Sequence, residues 1–300
     1  MIRIDTDLRL IVAANPGPMT GAGTNSYLLG RGEVVLIDPG PALPDHRAAL
    51  LGALEPGERL AAILVTHSHL DHTALAPDIA RATGVPVLGA GPAGSGRSAR
   101  MTDLAAESPV GGGEGFDPHY APDRILRAGE WLQFGATRIE VLETPGHTGC
   151  HLGFVCDGRL FSGDTVMGWS TSLISPPDGD MTMYMATLHS LAARDWHRLH
   201  PGHGPAVDAP ARRLADLIAH RRTREAEVLA TLSDLGPASA RTLAARIYHT
   251  TPPALLPAAS RNMLAHLIDL QARGLVGTPG PVTPDAVFAM CGGKPGADVG

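Results

Sequence analysis

Four potential metal ligands lie within six residues, directly after an apolar run. Residues 66–72 read Thr-His-Ser-His-Leu-Asp-His, and the Ala-Ile-Leu-Val run at 62–65 predicts a buried strand before them. In an extended chain residues i and i+2 point to the same side, so His67 and His69 can face one metal ion. The chain then turns toward a helix, which brings the Asp-His pair to a neighbouring position. This density of ligands predicts a metal site at a strand end.

Three further candidates lie beside glycine, in turns and loops later in the chain. They occur in Thr-Pro-Gly-His at 144–147, Ser-Gly-Asp-Thr at 162–165 and Pro-Gly-His-Gly at 201–204. Glycine lets the backbone approach closely in conformations that other residues resist. The combined set has histidine and carboxylate donors without cysteine, which suits Zn²⁺ and argues against a purely structural thiolate site. Its members are His67, His69, Asp71, His72, His147, Asp164 and His203.

The rest of the first two hundred residues alternates short strand-like runs with turns and short helices. The 36 glycines and 26 prolines favour many short elements over a helical bundle. We read residues 91–123, rich in glycine, proline and serine, as a long loop. The mixture predicts an α/β fold with sheets covered by helices. Strands are predicted at 27–29, 34–37, 62–65, 86–88, 137–142 and 152–155, and helices at 46–54 and 74–83, the second ending at Gly84.

The pattern changes after Pro210. Apolar periodicity predicts helices at 211–232, 237–248 and 254–272, followed by a two-stranded hairpin within 274–288, which fits a winged-helix module. The charge changes at the same place, from an acidic excess to a mildly basic one that is too weak to indicate nucleic-acid binding by itself. We therefore predict a catalytic domain over residues 1–209, a smaller winged-helix-like domain over 210–290 and a tail over 291–300.

Composition and segment lengths argue against several classes of protein. The longest apolar runs fall far short of the roughly 20 residues that a membrane span needs. The first residues lack the basic-then-apolar profile of a signal peptide, so we expect a cytoplasmic enzyme without a membrane partner. The three cysteines, Cys150, Cys156 and Cys291, are an odd number without zinc-ribbon spacing, which argues against a disulfide framework.

The order and spacing of the ligand motifs across residues 23–204 resemble the metallo-β-lactamase superfamily. The resemblance rests on His-x-His-x-Asp-His, Thr-Pro-Gly-His-Thr, Ser-Gly-Asp and Pro-Gly-His-Gly, and on Gly-Thr-Asn-Ser-Tyr-Leu and Leu-Ile-Asp-Pro-Gly near the start. It implies an αββα sandwich with the metals at one edge of its two sheets. It also implies that one metal is held by His67, His69 and His147, the second by Asp71, His72 and His203, with Asp164 as the bridge.

The resemblance implies two zinc ions per chain, with iron or manganese as alternatives. A hydroxide bridging the ions would attack an ester, thioester, lactone or phosphodiester bond. Asp71 would orient the attacking water or accept its proton. Asp38 is a candidate partner of a metal-bound histidine, because such rings usually donate their other N–H to a carboxylate or carbonyl. For five further residues two interpretations stay open. Each either packs in the core or faces solvent, or it contacts a metal ligand or the substrate. These residues are His151, Trp169, Thr171, His220 and Arg221.

The C-terminal part resembles the winged-helix tail of the β-lactamase-like protein 2 group. The motifs are His-Arg-x-x-Arg-Glu at 220–225 and Asn-x-x-x-His-Leu-x-x-Leu-x-x-x-Gly at 262–274. The animal member of that group is an endoribonuclease. Two classes of substrate therefore stay open for this chain, a small ester or thioester and single-stranded RNA. A further alternative is iron-dependent persulfide oxygenation, which relatives with nearly the same ligands carry out. The sequence leaves the oligomeric state open.

Overall fold

The computed structural model describes residues 1–107 and 110–292, so most of the predicted tail at 291–300 lies outside the described residues. Seven strands form one sheet in chain order. Pairing is antiparallel from β1 to β4 and parallel from β4 to β7. The strands are β1 (Ile2–Asp5), β2 (Leu8–Val12), β3 (Asn25–Leu29), β4 (Glu33–Ile37), β5 (Arg59–Leu64), β6 (Val87–Gly89) and β7 (Arg124–Ile125).

A second sheet of five strands packs against the first. Its order is β12-β11-β10-β9-β8, and only β11 and β12 run parallel. Parallel neighbours end at the same edge, so the turns after β4 and β5 meet one another, as do those after β11 and β12. The strands are β8 (Trp131–Phe134), β9 (Thr137–Glu143), β10 (Leu152–Cys156), β11 (Arg159–Gly163) and β12 (Arg198–Pro201).

Alternation along the strands sorts apolar side chains into layers. In β4, Val35 and Ile37 point into the core between the two sheets, together with Phe154 of the second sheet. Val34 and Leu36 point the other way, into a core against helices on the outer face. These layers confirm the predicted αββα sandwich. The helices of this part are α1 (Pro44–Gly52), α2 (Leu70–Thr73), α3 (Ala76–Thr83), α4 (Ala99–Glu107) and α5 (Met181–Ala192).

The last third of the chain has a core of its own, which confirms the predicted winged helix. Three helices, α6 (Pro210–Leu235), α7 (Ala240–Ile247) and α8 (Leu256–Ala272), enclose buried residues such as Leu243 and Met263. The wing has three strands where the sequence predicted two, because β13 (Ala238–Ser239) pairs with β15 (Val287–Met290) beside β14 (Val276–Gly277). Among the described helices, none is long and apolar enough to cross a membrane.

One prediction of local structure was wrong, and one helix begins slightly later than predicted. The predicted loop at 91–123 contains α4, because Ser98 Oγ accepts a hydrogen bond from the Met101 N–H and Met101 packs into the core of the winged helix. The predicted helix at 74–83 is confirmed as α3, which begins two residues later, at Ala76, after the separate single turn α2. Its predicted end is confirmed, since Gly84 adopts a left-handed conformation with φ of 73°.

Candidate metal centre

Loops and the short helix α2 at one edge of the two sheets carry all seven predicted ligands. Residues 67–72 follow β5, His147 lies between β9 and β10, Asp164 follows β11 and His203 follows β12. The ligand atoms of these side chains lie within a few ångström of one another, in groups that share members. The structure therefore brings together residues that are far apart in the sequence.

Three rings converge in what we call the imidazole cluster, formed by His67, His69 and His147. His69 Nδ1 lies 2.9 Å from His67 Nε2 and 3.2 Å from His147 Nε2. Burial lowers the pKa of each of these histidines, that of His69 to about 3. The rings are therefore neutral near pH 7.

Hydrogen bonds on the far side of two rings fix which nitrogen carries the proton. His147 Nδ1 donates to the Leu173 carbonyl at 2.7 Å, because a carbonyl can only accept. His67 Nδ1 lies 3.0 Å from Thr66 Oγ1, and this hydroxyl gives its own proton to Asp38 Oδ2, so it accepts from the ring. The Nε2 atoms of His67 and His147 therefore point unprotonated lone pairs toward His69 Nδ1.

Asp71, His72 and His203 form a second group, which we call the mixed cluster. The two Nε2 atoms of its histidines lie 3.3 Å apart, and Asp71 Oδ2 lies 3.2 Å from His203 Nε2. His72 Nδ1 donates to Asp38 Oδ2 at 2.9 Å, and His203 Nδ1 donates to the Gly23 carbonyl at 3.2 Å. The neutral forms of both rings therefore present Nε2 lone pairs to the same point, beside a carboxylate.

The carboxylates reverse the electrostatics of the mixed cluster. Burial lowers the pKa of His72 and His203, but the charges of Asp71 and Asp164 outweigh it and raise the values to about 9 and about 11. Burial raises the pKa of Asp71, but His72 and His203 bring it below its ordinary value. In the metal-free protein these histidines hold protons at neutral pH, in contrast to the imidazole cluster.

Asp164 lies between the two clusters. Its Oδ2 is 3.4 Å from His203 Nε2 and 3.8 Å from His147 Nε2, and its Oδ1 is 3.6 Å from His72 Nε2. The Oδ1 atom is buried and has no hydrogen-bond partner among the described residues. A buried acceptor without a partner costs about 1–3 kcal/mol, and more for a charged group.

The donor set fits two cations. Lone pairs that face one another and an unpartnered carboxylate oxygen are unfavourable without a positive charge between them. A cation at each cluster would satisfy these donors, with Asp164 in reach of both.

One carboxylate orients a histidine in each cluster. Asp38 Oδ1 accepts from the Thr66 N–H, and its Oδ2 accepts from both Thr66 Oγ1 and His72 Nδ1. Asp38 thus contacts His72 directly and His67 through Thr66. Asp38 follows β4 and adopts a positive φ of 52°, which is uncommon for a residue other than glycine.

Sequence and structure comparisons agree with this geometry. The metallo-beta-lactamase superfamily model matches residues 19–203, which is more than half of the chain. The chain belongs to the metallo-beta-lactamase superfamily. A beta-lactamase associated winged helix domain also matches, over residues 239–279. Members of this superfamily are metal-dependent hydrolases, and we assign the chain as one.

Two of the similar proteins match nearly the whole chain, and a third matches three quarters of it. A "Beta-lactamase-like protein 2 homolog" of Caenorhabditis elegans is 30% identical over 278 residues, covering 90% of this chain and 85% of its own. The crystal structure of a metallo-beta-lactamase family protein of Thermus thermophilus has a TM-score of 0.76 and 26% identity, covering 96% of this chain and 100% of that one. An atrochrysone carboxyl ACP thioesterase of a Cryptosporiopsis species is 28% identical over 229 residues, covering 75% of this chain and 62% of its own.

His151 supports the candidate ligands from inside the protein. Its Nε2 accepts from the Asp164 backbone N–H at 3.1 Å, and its Nδ1 donates to Thr144 Oγ1 at 2.8 Å. Its ring stacks on His67, with centroids 5.0 Å apart. Both ring nitrogens are used within the fold, so His151 holds Asp164 in place and has no nitrogen free for a substrate.

The other candidates line a cleft of about 510 Å³, which we call the central cleft, together with residues of both clusters. Trp169, Thr171, His220 and Arg221 all border it. The Trp169 side chain lies against Gly204, where a Cβ would come within 2.2 Å of its ring. The sandwich contributes Trp169 and Thr171 to this lining, and helix α6 of the C-terminal part contributes His220 and Arg221.

Sequence reasoning missed several residues that hold the ligands. Thr24 Oγ1 donates to Asp71 Oδ2 at 3.1 Å. Asn25 Nδ2 donates to the carbonyls of Pro201 and Gly204, which flank the His203 turn. Both residues lie in the Gly-Thr-Asn-Ser motif that supports the resemblance, so a signal was present. Its spacing carried no information about which ligand each residue would contact.

Proposed function

We propose that the chain hydrolyses an ester or thioester of an apolar acyl group, with two zinc ions at the imidazole and mixed clusters. The observation that carries this proposal is the apolar lining of the space over the ligands. Met19, Leu173, Leu255 and Ala258 border the central cleft. The same four residues border an adjoining space of about 410 Å³, the side branch, to which Phe116, Ala254 and Pro257 are added.

Both spaces open onto the ligands, because His69 and His147 line each of them. A substrate whose scissile carbonyl lies at the clusters can place its acyl chain in the side branch and its leaving group in the central cleft. Each methylene buried in such a space contributes about 0.8 kcal/mol.

The arginines beside these spaces favour an acyl substrate over RNA. Arg221 borders the central cleft, and its guanidinium already donates to the Ser172 carbonyl and to Asn262 Oδ1. Arg261 borders the side branch and donates to Ser175 Oγ and to two backbone carbonyls. Phosphate contacts dominate nucleic-acid affinity, so a phosphodiester enzyme needs cations that are free to make them.

The nitrogen and oxygen donors would suit zinc at both clusters. When bound, the metals supply a Lewis acid and lower the pKa of the attacking water to about 7. Asp71 is placed to accept the proton of that water, since its carboxylate borders the central cleft and Thr24 fixes only one of its oxygens. Asp164 is held by His151 and has a free oxygen toward His72, which suits a group shared by two cations.

The name of one relative supports the same reaction class. The Cryptosporiopsis relative is called a thioesterase, and its match covers 75% of this chain. Thioesters and esters share the carbonyl that the proposed mechanism requires.

A panel of substrates tests the proposal. The zinc-loaded protein is assayed against acyl thioesters and esters from acetyl to decanoyl, with lactones, β-lactams, phosphodiesters and single-stranded RNA for comparison. We expect kcat/KM to rise roughly fourfold per added methylene until the side branch is filled, as 0.8 kcal/mol per methylene implies. RNA cleavage that exceeds thioester hydrolysis and weakens steeply with salt would overturn the proposal in favour of an endoribonuclease.

A matched pair of variants locates the acyl chain. Ala258 is shared by both spaces and Ala272 is an exposed residue of the same helix. Ala258→Phe should reduce decanoyl hydrolysis far more than acetyl hydrolysis, whereas Ala272→Phe should change neither. Equal losses on short and long substrates would contradict the acyl assignment.

Metal analysis separates hydrolysis from oxygenation. Protein purified without added metal should contain zinc and should leave persulfides unoxidised. One iron per chain together with oxygen-dependent persulfide consumption would replace the hydrolase proposal by the iron-dependent alternative.

A further inference from the structure

Residues 164–176, which we call the site loop, support ligands of both clusters. The loop begins with Asp164, and its Leu173 carbonyl accepts the hydrogen bond that orients His147. Ser172 Oγ donates back to the Asp164 carbonyl, at 2.5 Å. A shift of the loop at Ser172 or Leu173 would therefore displace both ligands.

Helix α6 holds this loop from the outside. Arg213 donates from Nε to the Met167 carbonyl at 2.7 Å and from Nη2 to the Ser170 carbonyl. Two turns further along the helix, Arg221 Nη2 donates to the Ser172 carbonyl at 2.5 Å. These contacts run from side chains to backbone carbonyls, so they fix the path of the loop independently of its side chains.

Helix α8 holds the adjacent residues. Asn262 Oδ1 accepts from the Ile174 N–H at 2.9 Å and from Arg221 Nη1 at 3.3 Å. Arg261, its neighbour, donates from Nε to Ser175 Oγ at 2.8 Å. The Arg221–Asn262 pair thus connects the two helices to the backbone on either side of Leu173.

The burial of Arg221 indicates that its main role is to hold the site loop and Asn262. The residue is 2% exposed, and its Nε atom is buried with no hydrogen-bond partner in the described part of the chain. A buried charge is expensive unless it is hydrogen-bonded, and here its terminal nitrogens bond to the loop and to Asn262. A substrate anion would have to displace these bonds.

We propose that Arg221 and Asn262 are positioning residues of the metal centre. Through Ser172 and Ile174 they set the place of the Leu173 carbonyl and of Asp164. The helices of the C-terminal part thereby complete the metal site that the sandwich begins. This inference rests on the ligand set in the proposed function. The outer partners of metal ligands typically contribute 10–100-fold to metal affinity.

Chelator competition on the full chain measures zinc affinity without a substrate. We expect Arg221→Met and Asn262→Leu each to weaken zinc binding by about 10–100-fold, mostly at the imidazole cluster, because His147 belongs to that cluster and Asp164 lies within reach of it. Asn262→Asp keeps an oxygen acceptor for Ile174 and Arg221, so it should bind zinc nearly as the parent does. Arg222→Met, an exposed neighbour on the same helix, is the matched control and should bind zinc unchanged.

Thermal unfolding of the zinc-free variants separates positioning from folding. The inference is supported if zinc affinity falls while the unfolding temperature of the zinc-free Asn262→Leu protein stays close to that of the parent. It is overturned if both variants bind zinc like the parent, or if Asn262→Asp loses as much affinity as Asn262→Leu. A wrong ligand set would give a different result. In that case the parent protein would not bind two zinc ions, or His147→Ala would bind as many zinc ions as the parent.

Discussion

The imidazole and mixed clusters lie side by side and share access to Asp164, but they differ in charge. In the first, three neutral rings meet, and burial lowers the pKa of each. In the second, two carboxylates overcome burial and raise the pKa of His72 to about 9 and of His203 to about 11. Histidines that lie a few ångström apart therefore differ in protonation: those of the imidazole cluster are neutral near pH 7, and those of the mixed cluster hold protons.

Burial lowers the pKa of the histidines in both clusters, so the difference between the clusters comes from the neighbouring carboxylates, which oppose burial only in the mixed cluster strongly enough to raise the pKa. Four of these rings have the far nitrogen hydrogen-bonded, to Thr66, Asp38, Leu173 or Gly23. The imidazole cluster keeps its lone pairs free at neutral pH. The mixed cluster must release protons before it can bind a cation.

The largest effect should follow from removing the carboxylate that serves both clusters. Asp164→Ala is expected to lower zinc affinity at both sites and to reduce kcat by more than about 100-fold, above the range for an outer partner. Elemental analysis after dialysis, with circular dichroism as the control for folding, measures this. If two zinc ions are retained with parental affinity, Asp164 does not join the clusters.

Variants that each lack one ligand should distinguish the two clusters by their zinc content. His67→Ala removes a ring of the imidazole cluster and His203→Ala removes one of the mixed cluster, so each should retain about one zinc ion while turnover is nearly abolished. The fold should persist in both, because these side chains lie at the sheet edge. Parental rates in His67→Ala would contradict the assignment of the imidazole cluster.

Zinc binding at the two clusters should depend differently on pH. Between pH 6 and 9 the metal-free mixed cluster holds protons on His72 and His203, since their pKa values are raised, and zinc must displace them. Affinity there should rise with pH, by about tenfold per unit for each proton released. The imidazole cluster should show almost no change, because the pKa of His69 lies at about 3. Zinc titrations at several pH values, monitored by calorimetry, test this; equal slopes for both sites would remove the contrast.

A smaller effect is expected from neutralising Asp38, whose carboxylate contacts His72 of the mixed cluster directly and His67 of the imidazole cluster through Thr66. Asp38→Asn keeps the size of the side chain but weakens acceptance from His72 Nδ1, so zinc affinity of the mixed cluster should fall by about 10–100-fold. The imidazole cluster depends on Asp38 only through Thr66 and should lose less. Chelator competition resolves the two sites, and an equal loss at both would show that the support is shared evenly.

The smallest effect should come from Thr24. Thr24→Val removes the hydroxyl that donates to Asp71 Oδ2, and a hydrogen bond to a charged group contributes about 1.5–3 kcal/mol. Much of this can be recovered by water, since Asp71 borders the cleft, so we expect kcat to fall about tenfold with little change in zinc content. Steady-state kinetics with metal analysis checks this, and an unchanged kcat would remove Thr24 from the support of Asp71.

The sequence pattern indicated sheets covered by helices, a winged-helix-like module and the candidate ligands, and the family resemblance implied the αββα sandwich and the convergence of these ligands at its edge. These features have local signals, because apolar alternation marks strands and glycine marks the turns that carry His147 and Asp164. The helix α4 was missed because Met101 is buried by the distant winged helix, which no local pattern reveals.

What only the tertiary structure decided is how the ligands differ and what holds them. The raised pKa of His203, the support of Asp164 by His151 and the contact of Asn262 with Ile174 all join residues that are distant in the chain. Hydrogen bonds and electrostatic interactions act over a few ångström in space, and sequence spacing records no such distances. The sequence therefore determined which donors exist, and the packing of the sheets and helices decided the proton affinity and the position of each.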